Sequence, residues 1–148
     1  MPRYFAYGSN LDEVQLRQRC PDAVAETPGA LVDFRLAFTA YSAGWGAGVA
    51  DVVACPGSRV WGVVFNLMDD DLESLDRFEG FPTQYDRFFA QIETDKGILD
   101  CWVYAVSRKQ SFVAPSRRYL DVIRQAAGRH GFPDEYVRML EAVQAADR

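Results

Sequence analysis

A short stretch near the start of the chain, Tyr4-Phe5-Ala6-Tyr7-Gly8-Ser9-Asn10-Leu11, constrains the fold more than any other. Tyr4, Phe5 and Tyr7 favour extended backbone, whereas Gly8-Ser9-Asn10 is turn chemistry. From Leu11 to Cys20 the pattern becomes helical, with Leu11, Val14 and Leu16 apolar among Asp12, Glu13, Arg17 and Arg19. Ser9 or Asn10 is the expected N-cap of that helix. A strand that passes through a glycine corner into a helix aims the N–H groups of Gly8 to Leu11 outward at a helix N-terminus, where an anion is favoured. Gly8 also removes a side chain that would hold a ligand off the backbone. The same corner reads equally well as a capped turn without function.

Further along, Ala23 to Thr39 holds two strand-like pieces around Thr27-Pro28-Gly29. In the second, Phe34, Leu36 and Phe38 alternate with Arg35 and Ala37, as in a half-buried strand. Ala43-Gly44-Trp45-Gly46-Ala47-Gly48 is a glycine-dense loop around one large ring, which reads as a turn with a surface Trp ahead of a loop that approaches a ligand. Val49 to Cys55 and Val60 to Met68 are expected strands separated by a Pro56-Gly57 turn. Tyr85 to Thr94 and Ile98 to Val106 form an expected hairpin around Asp95-Lys96-Gly97. Phe88, Ala90 and Ile92, with Cys101, Val103 and Ala105, are its core face. Pro115-Ser116 opens a helix carrying Tyr119, Leu120, Ile123, Ala126 and Ala127, which Gly128 to Gly131 stops. Pro133 opens a last helix with Tyr136, Val137, Leu140 and Val143 inward. Strands predominate, single helices interrupt them and a helix pair ends the chain. The fold class is therefore α+β, with a curved, barrel-like mixed sheet and flanking helices.

Asp69 to Phe78 is the remaining helix, with Asp69, Asp70 and Asp71 supplying its N-cap and first-turn charge. Leu72 and Leu75 set an apolar stripe whose next positions are Phe78 and Glu79. Asp70, Glu73 and Asp76 fall on the wet side. Glu79 does not; it lies on or beside the buried face, immediately before Gly80-Phe81-Pro82 ends the helix. A carboxyl in apolar surroundings has its pKa raised, which suits an acid/base that works near neutrality. The competing reading places Glu79 in solvent at a fraying helix end.

Composition excludes several function classes. A chain of 148 residues with 49% hydrophobic content supports one globular domain, residues 1–148. Its net charge of −5 is broken by no basic block, so nucleic acid is not an expected partner. No apolar run approaches a membrane span, and the early strand leaves no room for a signal peptide. Cys20, Cys55 and Cys101 are odd in number and fit no metal spacing, as in a cytoplasmic protein with reduced thiols; a sensor thiol is the alternative. His130 is the only histidine and falls between two helices, so neither a His-dependent triad nor a metal site is expected. Phosphate-loop and dinucleotide-binding glycine motifs are missing from the sequence. What remains for acid/base chemistry is a carboxylate, with tyrosines to position a ligand.

At this point the residues resemble a known family. YFAYGSNL, Tyr4 to Leu11, is similar to the signature loop of the gamma-glutamylcyclotransferases. Val60-Trp61-Gly62-Val63-Val64 resembles a strand of that family, and Leu75-Asp76-Arg77-Phe78-Glu79-Gly80 resembles the segment that holds its catalytic glutamate. Pro115-Ser116-Arg117-Arg118-Tyr119 and Gly131-Phe132-Pro133 with Glu135-Tyr136 resemble its C-terminal motifs, so the likeness runs in order along nearly the whole chain. The resemblance implies the family's mixed barrel, and Glu79 as general acid/base. It implies that Tyr4, Ala6, Tyr7, Gly8, Ser9, Asn10 and Leu11 bind the glutamyl part of the substrate, with Tyr85 and Tyr119 in the same pocket. Phe81 to Gln84 separates Gly80 from Tyr85 by one residue fewer than the family's usual spacing. FPTQYDR also resembles the wider AIG2-like superfamily, which acts on other gamma-glutamyl compounds. A homodimer is compatible with the resemblance.

The implied substrate is a small gamma-glutamyl amide whose own α-amine attacks its own γ-carbonyl. The products are 5-oxoproline and a free amine or amino acid, and no metal or organic cofactor is required. Nucleophile and electrophile share one molecule, and well-oriented intramolecular reactions reach effective molarities on the order of 10⁵–10⁸ M. The amine, with a pKa of about 8, must lose a proton and the leaving nitrogen must gain one. One carboxylate, Glu79, can do both. The N–H groups near Gly8 could hold either the α-carboxylate or the developing oxyanion. A gamma-glutamylamine cyclotransferase, removal of a gamma-glutamyl protecting group from a biosynthetic intermediate, and a non-catalytic binding module are the alternatives.

Overall fold

Two strands of unusual length carry the fold. The computed structural model describes residues 1–147. In chain order these form β1 (Arg3–Ala6), a 3₁₀ turn (Ser9–Leu11), α1 (Glu13–Arg19), β2 (Val24–Ser42) and β3 (Ala47–Asn66). After them come α2 (Asp69–Glu79), β4 (Tyr85–Thr94), β5 (Gly97–Val106), α3 (Arg117–His130) and α4 (Asp134–Ala142). The strands close into a barrel in the order β1-β3-β2-β4-β5. Closure comes from a parallel contact between Tyr4 of β1 and Trp102 of β5, and the other neighbours are antiparallel. The expected α+β mixed barrel is therefore present. No helix among the described residues is long and apolar enough to cross a membrane.

The sequence reading divided each long strand in two, and the structure does not. Thr27-Pro28-Gly29 stays within β2, with Pro28 opposite Val63 and Gly29 opposite Gly62. Pro56-Gly57 stays within β3, where it forms an irregularity facing Asp33 in place of a chain reversal. Asp33 and Gly57 both take positive φ, 67° and 84°, and the Gly57 N–H donates to Asp33 Oδ1 at 2.9 Å. Bulges absorb turn-forming residues when pairing continues on both sides, and they add the twist that a small closed barrel needs. The β4–β5 hairpin lies where expected, with Thr94 opposite Gly97.

Helix starts also shifted. Neither Ser9 nor Asn10 caps α1. The 3₁₀ turn intervenes, closed by Leu11 N–H to Gly8 O at 3.0 Å and Asp12 N–H to Ser9 O at 3.1 Å. Asp12 is the cap, its Oδ1 accepting from Val14 N–H at 3.0 Å and Gln15 N–H at 3.5 Å. Val14, expected on the apolar face, is exposed, while Leu11 and Leu16 are fully buried. Met68, not an aspartate, is the N-cap of α2, and Asp71 reaches back from the first turn to accept the Met68 N–H at 3.0 Å. His130 is the last residue of α3 and not a loop residue; Gly131, with φ 66°, ends that helix.

Phe5, Phe65, Leu67, Leu75, Ile92, Leu120 and Ile123 are fully buried and join barrel and helices in one hydrophobic core. Each such side chain contributes about 1.5–3 kcal/mol relative to exposure. The expected inward set of α3 is buried throughout; in α4 Tyr136 and Leu140 are buried and Val137 and Val143 half-buried. One end of the barrel is left open between the 3₁₀ turn, the β2–β3 connection and the end of α2, and there a cleft forms.

Candidate active site

Segments far apart in the chain meet at a cleft of about 830 Å³. β1 and the turn after it supply Tyr4, Tyr7, Gly8, Ser9 and Asn10. The end of α2 and the start of β4 supply Glu79 and Tyr85, the β2–β3 connection supplies Trp45, and the first turn of α3 supplies Tyr119. Ala6 and Leu11, named with this group from the sequence, are fully buried in the core and do not line the cleft.

The displaced helix start shapes the site. Because Asp12 caps α1, the side chains of Ser9 and Asn10 are released from capping. Ser9 Oγ accepts from Gln15 Nε2 at 2.9 Å. Asn10, only 3% exposed, has its amide oxygen saturated by Gln15 Nε2 at 3.0 Å and Arg19 Nη1 at 3.1 Å. With two donors on the oxygen, the Asn10 amide nitrogen must face the other way. It donates to Tyr4 Oη at 3.0 Å and lies 3.5 Å from Glu79 Oε1. Among the described residues no carbonyl accepts from the N–H of Gly8, Ser9 or Asn10. These donors belong to a 3₁₀ turn ahead of α1, not to the helix N-terminus expected from the sequence.

Glu79 is the last residue of α2. Gly80 follows with φ 70° and ψ 37°, a conformation that L side chains rarely adopt, and an added Cβ would stand 2.9 Å from Gln84 Oε1. Thr83 and Gln84 N–H both return to Gly80 O, at 2.9 and 2.8 Å, so the chain turns at once into β4 and brings Tyr85 beside Glu79. Burial raises the Glu79 carboxyl to about 7, against a smaller opposing pull from the Arg19 guanidinium. Placement at a helix C-terminus works in the same direction, since the dipole there disfavours an anion. Glu79 is half-buried in the wall of the cleft and does not stand free in solvent at a frayed helix end.

Two neighbours depart from the helical phase. Phe78, placed on the apolar stripe, is 58% exposed and carries Arg19 over its ring at 4.9 Å, because the last turn of α2 leaves the core at the cleft. Asp76, placed on the wet side, is held inside: its Oδ1 accepts from Tyr104 Oη at 2.6 Å and from Arg87 Nε at 2.9 Å.

The tyrosines are fixed by backbone groups. Tyr119 Oη accepts from Ala50 N–H at 3.0 Å, and Ser9's amide faces the same oxygen. Tyr85 Oη donates to Ala50 O at 3.4 Å, and Tyr7 Oη donates to Tyr104 O at 2.6 Å. Burial raises the pKa of Tyr4, Tyr7, Tyr85, Tyr104 and Tyr119, so all stay neutral hydroxyls near pH 7. Gly8 is required by close approach: a Cβ there would stand 2.8 Å from Tyr119 Oη and 3.3 Å from Ala50 Cβ.

Trp45 was read from sequence as a surface ring. It is instead half-buried, with its edge against Tyr119 at 4.9 Å, and lines the cleft. Sequence reasoning also missed Gln15, Arg19 and Tyr104. Gln15 and Arg19 had a signal, since residues four apart share a helix face directly after the loop. Tyr104 had a fainter one, as a buried ring out of phase with Cys101 and Val103. His130 does not line the cleft.

Comparison with known proteins agrees with this geometry. Residues 59–140 match a family model described as the AIG2-like family. The chain is 35% identical to the gamma-glutamylcyclotransferase of cattle, Bos taurus, over 97% of its own length and 79% of that protein. The human protein of the same name, from Homo sapiens, is 34% identical over 97% and 79%. A solved structure titled gamma-glutamyl cyclotransferase superposes with a TM-score of 0.92 at 33% identity, covering 99% of this chain and 90% of that one. The chain belongs to the gamma-glutamylcyclotransferase family, within the AIG2-like group.

Proposed function

We propose that the protein is a gamma-glutamylcyclotransferase with Glu79 as its general acid/base. The observation that carries this reading is that Glu79 is the one acid lining the cleft, 3.5 Å from the Asn10 amide nitrogen, where burial raises its carboxyl to about 7. At that value roughly half of Glu79 is ionised at neutral pH, so it can both take and give a proton.

The substrate is a gamma-glutamyl amide folded so that its α-amine faces its γ-carbonyl. Ionised Glu79 takes a proton from the ammonium, and the neutral amine attacks the carbonyl carbon. A C–N bond forms, closing the five-membered ring, and negative charge develops on the carbonyl oxygen. Glu79 returns its proton to the amide nitrogen as the old C–N bond breaks. The second proton released by the ring nitrogen follows the same route, so 5-oxoproline and a protonated amine leave and Glu79 ends ionised. The N–H groups of Gly8 and Asn10, with the neutral hydroxyl of Tyr4, are donors for the α-carboxylate or the oxyanion. Asn10 Nδ2 faces the Glu79 carboxyl at 3.5 Å. The reading needs no cofactor, nucleic acid or membrane, and takes residues 1–148 as one domain. Three free cysteines suit a cytoplasmic location.

The test is 5-oxoproline release from gamma-glutamyl dipeptides, glutathione and gamma-glutamyl amines. Turnover on at least one of them by wild type, and its loss in Glu79→Gln, supports the reading. Equal turnover by both proteins removes Glu79 from this role.

A further inference from the structure

The wall of the cleft is cationic in a chain that is anionic. Arg19, Arg108 and Arg118 line it against one acid, Glu79, while the whole sequence carries a net charge of −5. Arg19 is committed to Asn10 and to the ring of Phe78. Arg108 and Arg118 are not: among the described residues neither has a carboxylate within 4.0 Å or a hydrogen-bond acceptor.

The Arg118 side chain and the backbone of Arg108 are nevertheless fixed in place. The Arg118 guanidinium lies 4.5 Å over the Trp45 ring, which in turn packs against Tyr119. It stands in the first turn of α3, which contains no acid, so the helix dipole opposes its charge. Arg108 is held by its neighbour. Lys109 Nζ lies 2.8 Å from Asp51 Oδ2 and donates to Val106 O at 2.8 Å. Asp51 is fully buried and also accepts from Thr39 Oγ1, Val52 N–H and Val106 N–H. Gln110 N–H then donates to Thr39 O at 2.8 Å. With Lys109 turned inward and the backbone pinned on both sides, Arg108 is left lining the cleft.

A gamma-glutamyl amino acid carries two carboxylates, one on the glutamyl part and one on the leaving amino acid. A gamma-glutamyl amine lacks the second. We propose that Arg108 and Arg118 bind the carboxylate of the leaving amino acid, which makes the cleft selective for gamma-glutamyl amino acids and peptides over gamma-glutamyl amines. The inference rests on the cyclotransferase reading above and assigns the residues that read its leaving group. A charge-assisted hydrogen bond changes affinity by roughly tenfold or more.

The deciding pair of substrates is gamma-glutamyl-alanine and its C-terminal carboxamide, which match in size and differ in charge. Wild type should favour the acid by about tenfold or more in kcat/KM, mainly through KM. Arg108→Gln and Arg118→Gln should each narrow that ratio, and the double variant should bring it within about threefold. Arg108→Lys with Arg118→Lys, which keeps the charge, should retain part of it. A wild-type ratio near one, or an unchanged ratio in the double Gln variant, overturns the proposal while leaving cyclisation intact. If no substrate releases 5-oxoproline, the cyclotransferase reading has failed, and calorimetric binding of acid and carboxamide decides the arginines on its own. Tighter binding of the acid that the double Gln variant loses supports them, and equal binding overturns them.

Discussion

Glu79→Gln should separate chemistry from stability in a single variant. The substitution keeps size and hydrogen-bonding shape but cannot carry charge or shuttle a proton. General acid/base catalysis contributes about 10²–10⁴-fold, so kcat should fall by that factor while substrate still binds. Stability should move the other way. In the folded chain Glu79 holds its proton up to about pH 7, whereas in the unfolded chain it releases it near 4.5. Between those values the folded state binds the extra proton, so stability falls as pH rises. The contribution is full below 4.5 and gone above about 7. Across that interval it amounts to about 3 kcal/mol, less whatever water at the cleft mouth screens. Urea unfolding at pH 5, 6, 7 and 8 should therefore show wild type losing ground to the Gln variant as pH rises. Parallel curves would refute a buried, raised carboxyl, and full activity in the variant would refute its role.

Three other perturbations test the scaffold of the site. Gly8→Val puts a branched side chain where even a Cβ lies 2.8 Å from Tyr119 Oη, so KM should rise at least about tenfold, with about 1–3 kcal/mol lost to overpacking; substrate calorimetry and urea midpoints check both. Tyr119→Phe strips the Ala50 N–H of its acceptor and should cost about 1–3 kcal/mol in urea unfolding, more than the small change expected if the hydroxyl were idle. Asp51→Ala leaves Lys109 and two backbone N–H groups without their buried partner. It should lower stability by about 3–5 kcal/mol, and a loss below 1 kcal/mol would show that the pair does not anchor the segment after β5.

The parts of the fold legible in the sequence were those set by repeating local pattern. Alternation placed β4 and β5, and helical spacing placed α3 and the end of α2. Punctuation misled where pairing outweighed it. Thr27-Pro28-Gly29 and Pro56-Gly57 are turn sequences, yet each lies in a long strand paired on both sides with its neighbour, and the local preference survives only as a bulge. Glu79 was visible because a carboxylate falls on an apolar phase just before a glycine. Its setting was not, since Asn10 and Glu79 are 69 residues apart and meet only when the barrel closes. Ser9 and Asn10 were misplaced as helix caps for a related reason. Asp12 is an equally good cap three residues after Ser9, and choosing it frees the other two side chains to face the cleft.

Arg19 gives the sharpest check that the cleft works as one electrostatic unit. Its guanidinium bonds Asn10 Oδ1 and is the one group that opposes the burial of Glu79, so it sits across a shared amide from the Glu79 carboxyl. Replacing it with Gln removes the positive charge and leaves Gln15 to hold the Asn10 oxygen. Without that charge the ionised form of Glu79 is less favoured, and its pKa must rise above about 7. Because the proposed reaction begins with ionised Glu79, the acidic limb of the kcat/KM profile should move to higher pH. Activity at pH 8 should then recover relative to activity at pH 6. The tyrosines cannot produce such a limb, since burial keeps them protonated through this range. His130 lies outside the cleft, and its pKa is lowered, not raised. A limb that stays near pH 7 in Arg19→Gln would mean that some group other than Glu79 sets it, and a limb moving to lower pH would reverse the sign on which the whole site depends.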